Sequence, residues 1–237
     1  MQTTELDPML SHTLEEAQKS SLRLVIANKN YSSWSMRAWV AMTAFNIPFQ
    51  EVRVLLGQAG TSAQIARYSA AGRVPVLLAS ETTVWDSLAI CEYLAEQFPE
   101  KNMWPQDVAA RAEARSICAE MHCGFTGVRS AMWMNIRARF PGKGRTIEAQ
   151  ADIGRISEIW EMCLSRSGPD AFLFGDFSLA DAYFAPVVMR FITYDVVLGP
   201  ALDAYVERLA AHPAVVQWVN GALAETEHIA RYDVYPD

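Results

Sequence analysis

Three serines, two tryptophans and an arginine fall within ten positions in NYSSWSMRAW, residues 30–39. Hydroxyls at a helix start have two uses. They cap the first backbone N–H groups, or they join the helix dipole in holding an anion. Ser35 suits the N-cap of a helix over 35–46, which leaves Ser32 and Ser33 available for chemistry. A second constellation is Asp86-Ser87 in WDSLAI, at the first turn of another amphipathic run. Capping alone accounts for the pair. A ligand accounts for it too: Ser87 and the helix N-terminus would take a carboxylate while Asp86 takes an ammonium, and the two groups on one carbon are an amino-acid headgroup. A third is GRVPVL, residues 72–77. Pro75 opens a strand, where it belongs at an edge or a bend. A trans bond there needs no ligand, whereas a cis bond would turn Val74 outward to pair its backbone with a peptide-like molecule. In a fourth, Ser178 and Asp181 stand three residues apart before an apolar run in FSLADAYFAPVV, which reads as a capping box.

These groups need elements to hold them. LRLVIA (22–27) reads as a short buried strand, 35–46 as a helix ended by Asn46 and Pro48, and FQEVRV (49–54) as an alternating strand. A short helix over 61–72 closes on Gly72. Residues 74–79 and 82–85 form a hairpin, and 86–99 a helix with Leu88, Cys91, Leu94, Ala95 and Phe98 on one stripe. Past Pro99 the texture changes: a polar linker, then helical periodicity over 107–139, 146–166, 178–194, 201–211 and 213–226, punctuated by Gly and Pro. The expected layout is an extension over 1–20 without regular order, an α/β domain over 21–99 and an all-helical domain over 107–230.

The bulk numbers bound the function. The chain has 237 residues, half of them apolar, enough for a sizeable core. A formal net charge of −7 argues against nucleic acid or an anionic membrane surface as partner. No apolar run approaches the roughly 20 residues of a spanning helix, and the polar, acidic N-terminus lacks the order of a signal peptide. Four cysteines, at 91, 118, 123 and 163, form no CxxC pair and sit in apolar helical patterns, so buried, reduced thiols and a cytoplasmic location are expected. Cys118, His122 and Cys123 have no second cluster to complete a four-ligand site, so no metal is expected.

The order of elements, together with SSWSMR, RVPVL, DSLAICEYL and FSLADAYFAP, resembles the cytosolic glutathione S-transferases from Leu22 to about Glu225. The nearest pattern is the serine-type zeta class, whose helix start reads serine, serine, cysteine, serine. The resemblance implies a thioredoxin-like N-terminal domain that binds glutathione, a helical-bundle C-terminal domain, and a homodimer. It implies a serine hydroxyl donating to the glutathione sulfur: Ser32 in the zeta register, Ser33 in the theta-like and delta-like registers, with Ser33 preferred. It assigns Val74 and Pro75 to the cysteinyl backbone, Asp86 and Ser87 to the γ-glutamyl end, and Arg73 a lesser contact. Trp34, Met132, Trp133, Met134 and Tyr194 become candidates for a pocket that takes a hydrophobic electrophile. Plain core packing would explain the same aromatic and methionine spacing. Trp34 replaces the zeta cysteine, and Trp39 a second zeta arginine. Arg190 matches an arginine that zeta enzymes are thought to use on a substrate carboxylate, and a helix-surface arginine is its plainer reading. Arg137 and Arg139 are expected on a solvated face. The implied function is a glutathione transferase of the detoxifying kind. A maleylacetoacetate-type cis–trans isomerase or a non-catalytic binding module with this fold are the alternatives.

Overall fold

The computed structural model describes residues 22–235; the expectation for residues 1–20 lies outside them. The chain begins as β1 (Arg23–Ala27), α1 (Ser33–Ala44), β2 (Gln50–Val54) and α2 (Thr61–Ala66), then β3 (Val76–Ala79), β4 (Thr82–Trp85) and α3 (Ser87–Gln97). The four strands form one sheet in the order β2-β1-β3-β4, with β1 parallel to β2 and antiparallel to β3, and β4 antiparallel to β3. This is the thioredoxin-like arrangement.

β1 is central, and its alternation divides the core. Leu24 and Ile26 point into the large cluster shared with α1, α3 and the helical domain, while Val25 joins Val54, Ile65 and Val76 on the opposite face. A run with no polar interruption is what a strand covered on both faces requires.

A 3-10 turn (Pro99–Lys101) leads into α4 (Val108–Cys123), α5 (Thr126–Ala131), α6 (Ile147–Ser167), α7 (Leu179–Tyr194), α8 (Pro200–Ala211), α9 (Pro213–Ala224) and the single turn α10 (Ala230–Asp233). The helix expected over 107–139 is therefore two helices and a loop. The break falls at Gly124 and Phe125, the latter at φ 54°. α5 then packs so tightly on α6 that a Cβ on Gly127 would stand 2.5 Å from the Glu148 backbone. The helix expected over 61–72 also stops early, at Ala66.

α7 is the axis of the helical domain, buried along nearly all its length. Ser178 caps it, and Asp181 returns the bond to the Ser178 N–H at 2.9 Å, so the capping box is complete. The Asp181 carboxylate also accepts from Leu173 N–H (3.1 Å) and Tyr205 O–H (3.0 Å). Among the described residues no helix is long and apolar enough to cross a membrane.

Candidate functional site

The turn from β1 to α1 distributes its three serines differently from expectation. Ser32, not Ser35, is the N-cap. Its Oγ accepts from Ser35 N–H (3.3 Å) and donates to Ser35 Oγ (2.8 Å). Ser35 lies one turn inside the helix, fully buried, where its Oγ takes the Ala27 N–H at 3.1 Å and braces the end of β1. The Ser32 hydroxyl is thus committed in both directions. Ser33, the first residue of α1, is only partly buried. Its Oγ accepts a 3.1 Å hydrogen bond from Arg190 Nη2, and its own proton has no acceptor among the described residues.

Arg190 is not on a helix surface. It is 5% exposed, its Nη1 donates to the Pro186 carbonyl at 3.2 Å, and its Nε has no partner. Burial, then the nearby Arg37 and Arg129 cations, pull its pKa down to about 9. Arg37 is buried with its guanidinium 4.5 Å from both the Trp34 and Tyr183 ring centres, and its Nε and Nη1 make no hydrogen bond. Burial lowers its pKa too. Arg129 covers the Trp34 ring at 4.8 Å and donates to the carbonyls of His122 and Gly124. Among the described residues none of these three cations pairs with a carboxylate. Arg37 and Arg190 are thus buried cations without counter-ions, which are costly unless something anionic completes them.

On the other wall, Asp86 is the N-cap of α3 at φ 80°, a backbone region that side chains other than glycine rarely adopt and that is concentrated at ligand clamps. Its Oδ1 accepts from Leu88 N–H (2.8 Å) and Ala89 N–H (3.4 Å), and its Oδ2 lies 3.2 Å from His122 Nε2. Ser87 is fully buried, with its Oγ 3.0 Å from the Tyr183 hydroxyl, which is 3.2 Å from His122 Nδ1. The Val74–Pro75 bond is cis. Arg73 is exposed beside it.

These groups border one cleft of about 1140 Å³ between the domains, which Ser32, Ser33, Arg73, Val74, Pro75, Asp86 and Ser87 all line. Of the expected pocket residues, Trp34, Trp133, Met134 and Arg190 line it. Met132 and Tyr194 do not: both are fully buried in the core, Tyr194 edge-on to Trp133. Two other expectations also need correcting. Cys123 is exposed, although Cys91, Cys118 and Cys163 are buried as expected, with burial pushing the Cys91 thiol up to about 12. Arg137 is not on a solvated face; it donates to the carbonyls of Glu225 and Glu227 (2.6 Å to the latter) and to Tyr31 O–H at 3.1 Å. Among the described residues no group of three or more His, Cys, Asp or Glu could hold a metal ion.

Sequence reasoning placed His122 only in a discounted metal cluster and missed Arg129, Arg231 and Tyr232; all four border the cleft. The first two were submerged in a helix read as continuous. The last two lie on α10, a single turn beyond the last periodic segment. Arg137 and Asn135 hold that segment over the cleft, together with Trp133 Nε1, which donates to the Tyr232 carbonyl at 2.8 Å.

Comparison with known proteins agrees with this architecture. A chain from Drosophila melanogaster named probable maleylacetoacetate isomerase 2 is 27% identical over 195 residues, 81% of this chain and 85% of that one. Maleylacetoacetate isomerase from Pseudomonas aeruginosa is likewise 27% identical over 195 residues, covering 78% and 91%. Among solved structures, a glutathione transferase homolog from Burkholderia with bound glutathione superposes with a TM-score of 0.68 at 24% identity, over 86% of this chain and 100% of that one. The glutathione S-transferase N-terminal domain model matches residues 31–97 and the C-terminal domain model residues 109–221. Two domain matches in sequence, on a thioredoxin-like sheet and a helical bundle with the site in the cleft between them, mean that the chain belongs to the glutathione S-transferase family.

Proposed function

We propose that this protein is a glutathione-dependent enzyme whose second substrate carries a carboxylate next to an activated double bond, with cis–trans isomerisation of the maleylacetoacetate type as its reaction. The observation that carries the reading is the Arg190 hydrogen bond to Ser33 Oγ. It leaves the Ser33 proton free to donate to a sulfur anion and sets a buried cation beside the same point. A free thiol has a pKa of about 8.5, and lowering it by about 2 units takes about 2.7 kcal/mol of preference for the anion. A hydroxyl donor to a charged acceptor supplies roughly 1.5–3 kcal/mol, and the α1 N-terminus roughly 0.3–1 kcal/mol. No general base is needed: the thiol proton leaves to solvent.

Glutathione would lie with its cysteinyl backbone on Val74, beside Pro75 and Arg73, and its γ-glutamyl end on Asp86 and Ser87. The thiolate adds to one carbon of the double bond, and the electron pair moves onto the conjugated carbonyl. Rotation about the resulting single bond follows. The pair returns, expelling the thiolate, so that no atom is gained or lost. Arg190, with Arg129 and Arg37 behind it, would hold the carboxylate and stabilise the negative charge while it sits on substrate oxygen. The curated relatives named as isomerases support this reading over a purely apolar electrophile pocket. Trp34, Trp133 and Met134 in the cleft wall favour transfer to a hydrophobic electrophile as a second activity.

The test is turnover of a cis-enone carboxylic acid and of an uncharged aryl halide, each with glutathione. The reading expects the acid to be the better substrate. Loss of neither activity in Ser33→Ala would refute the thiolate role. Absence of saturable glutathione binding by calorimetry would make the protein a binding module. The family implies a homodimer, which light scattering would test.

A further inference from the structure

Neither carboxylate capture nor thiolate activation uses His122, yet it joins the two residues proposed for the γ-glutamyl end. His122 Nδ1, the Tyr183 hydroxyl and Ser87 Oγ form one hydrogen-bonded chain with steps of 3.2 and 3.0 Å, and Asp86 Oδ2 lies at ion-pair distance, 3.2 Å, from His122 Nε2. The protons in that chain can be counted. A carboxylate only accepts, and a neutral imidazole carries one N–H. Facing Asp86, that proton belongs on Nε2, so Nδ1 accepts from the Tyr183 O–H. Burial raises the Tyr183 pKa, so the phenol keeps its proton. Having donated to His122, the Tyr183 oxygen can only accept from Ser87. The single Ser87 proton is then turned away from the cleft, and lone pairs are all it can show a carboxylate.

We propose that His122 is a proton-linked positioning residue for the γ-glutamyl end of glutathione: it takes one proton from solvent as the headgroup docks, and both hydrogen bonds of the chain reverse. As an imidazolium it donates from both nitrogens, Nδ1–H to Tyr183 and Nε2–H to Asp86. Tyr183 then donates to Ser87, and the Ser87 proton is released to the ligand carboxylate. The local charges favour this: ammonium, carboxylate, Asp86 and imidazolium sum to zero at the γ-glutamyl end.

The groups facing His122 set the unliganded state. Asp86 on α3 favours the proton. Burial and the cations Arg37 on α1 and Arg129 on α5 oppose it more strongly, and the imidazole sits below its usual pKa range. Trp34 lies edge-on at 5.1 Å and Tyr183 on α7 at 6.3 Å between ring centres, both uncharged. The site is therefore neutral at His122 until a carboxylate arrives.

This inference rests on the glutathione reading above, and the test separates the two. S-methylglutathione carries the headgroup without a titratable thiol. Its binding is measured by calorimetry between pH 6 and 8, in buffers of different ionisation enthalpy. Expected are net proton uptake and an affinity that rises as pH falls, by up to about tenfold per pH unit. In Tyr183→Phe the Ser87 proton is free at every pH, so the uptake-linked slope flattens and affinity at pH 8 equals or exceeds wild type. In His122→Gln the slope is lost. A merely structural role for Tyr183 or His122 predicts weaker binding with the slope retained, which would overturn the proposal. Wild-type binding with no proton uptake, while Asp86→Asn weakens it about tenfold or more, would overturn this proposal and leave the glutathione reading intact. No S-methylglutathione binding at all, or binding indifferent to Asp86→Asn, would overturn both.

Discussion

Arg190 reaches from the C-terminal third of α7 to the first residue of α1, donating at 3.1 Å to the hydroxyl of Ser33. One guanidinium thereby joins the helical domain to the first helix of the thioredoxin-like domain, next to the Ser32 cap.

Ser32 and Ser33 give crossed effects. Ser33→Ala should lower kcat/KM by roughly 10- to 150-fold, the equivalent of about 1.5–3 kcal/mol of anion stabilisation, with the melting temperature nearly unchanged. Ser32→Ala should do the reverse. It removes the α1 cap and costs about 1 kcal/mol of stability in urea unfolding, with a smaller loss of turnover.

Arg190 should show opposite effects on stability and activity. Arg190→Met removes a buried cation without a counter-ion, so the protein should gain about 1–3 kcal/mol in denaturant unfolding. Turnover of a carboxylated substrate should fall about tenfold or more relative to an uncharged aryl halide.

pH probes the same group. With its pKa held down to about 9, Arg190 is a cation below that value and neutral above it. The preference of the wild type for carboxylated over uncharged substrate should hold below about pH 9 and fall away above it. Taking the ratio of the two substrates cancels the titration of glutathione itself. An unchanged ratio between pH 8 and 10 would remove Arg190 from carboxylate recognition.

Asp181 should matter more than the cap it completes. Ser178→Ala loses one cap, about 1 kcal/mol. Asp181→Ala strands the buried donors of Leu173, Ser178 and Tyr205, each costing about 1–3 kcal/mol. Urea midpoints should separate the two variants clearly.

Arg137 should govern the C-terminal segment. Arg137→Ala removes its bonds to the carbonyls of Glu225 and Glu227. Limited proteolysis should then cut after residue 225 at least several-fold faster, with cleavage in the sheet unaffected.

Much of this was legible in the sequence because it depends on local chemistry. The apolar run of β1, the period of two in β2, the stripe of α3 and the Ser178–Asp181 box each encode their own element. The helical break at 124–125 was not, since periodicity is blind to one residue entering the left-handed region, and Gly124 was its only sign. Ser35 looked like the cap because it precedes the apolar run. The structure starts the helix two residues earlier, and the sequence held no mark for that beyond a choice among hydroxyls. His122 and Arg129 are ordinary helical residues until the fold sets them against Asp86 and Trp34. Met132 and Tyr194 have the right types for a pocket, but their side chains turn to the core. Arg190 was read from its place in a pattern, and its burial against Arg37 could come only from tertiary packing.

The Glu225 carboxylate accepts from the backbone N–H groups of Lys29 (2.7 Å) and Asn30 (3.0 Å), and pairs with Arg53 at 3.1 Å. Lys29 and Glu225 are 196 positions apart in the chain. During synthesis the sheet can pair and α1 can form long before that carboxylate leaves the ribosome. The loop between β1 and α1 must therefore wait, without its carboxylate partner for two amides, until Glu225 has been made. A nascent chain stalled before residue 225 would hold the sheet beside a loop that still lacks its carboxylate.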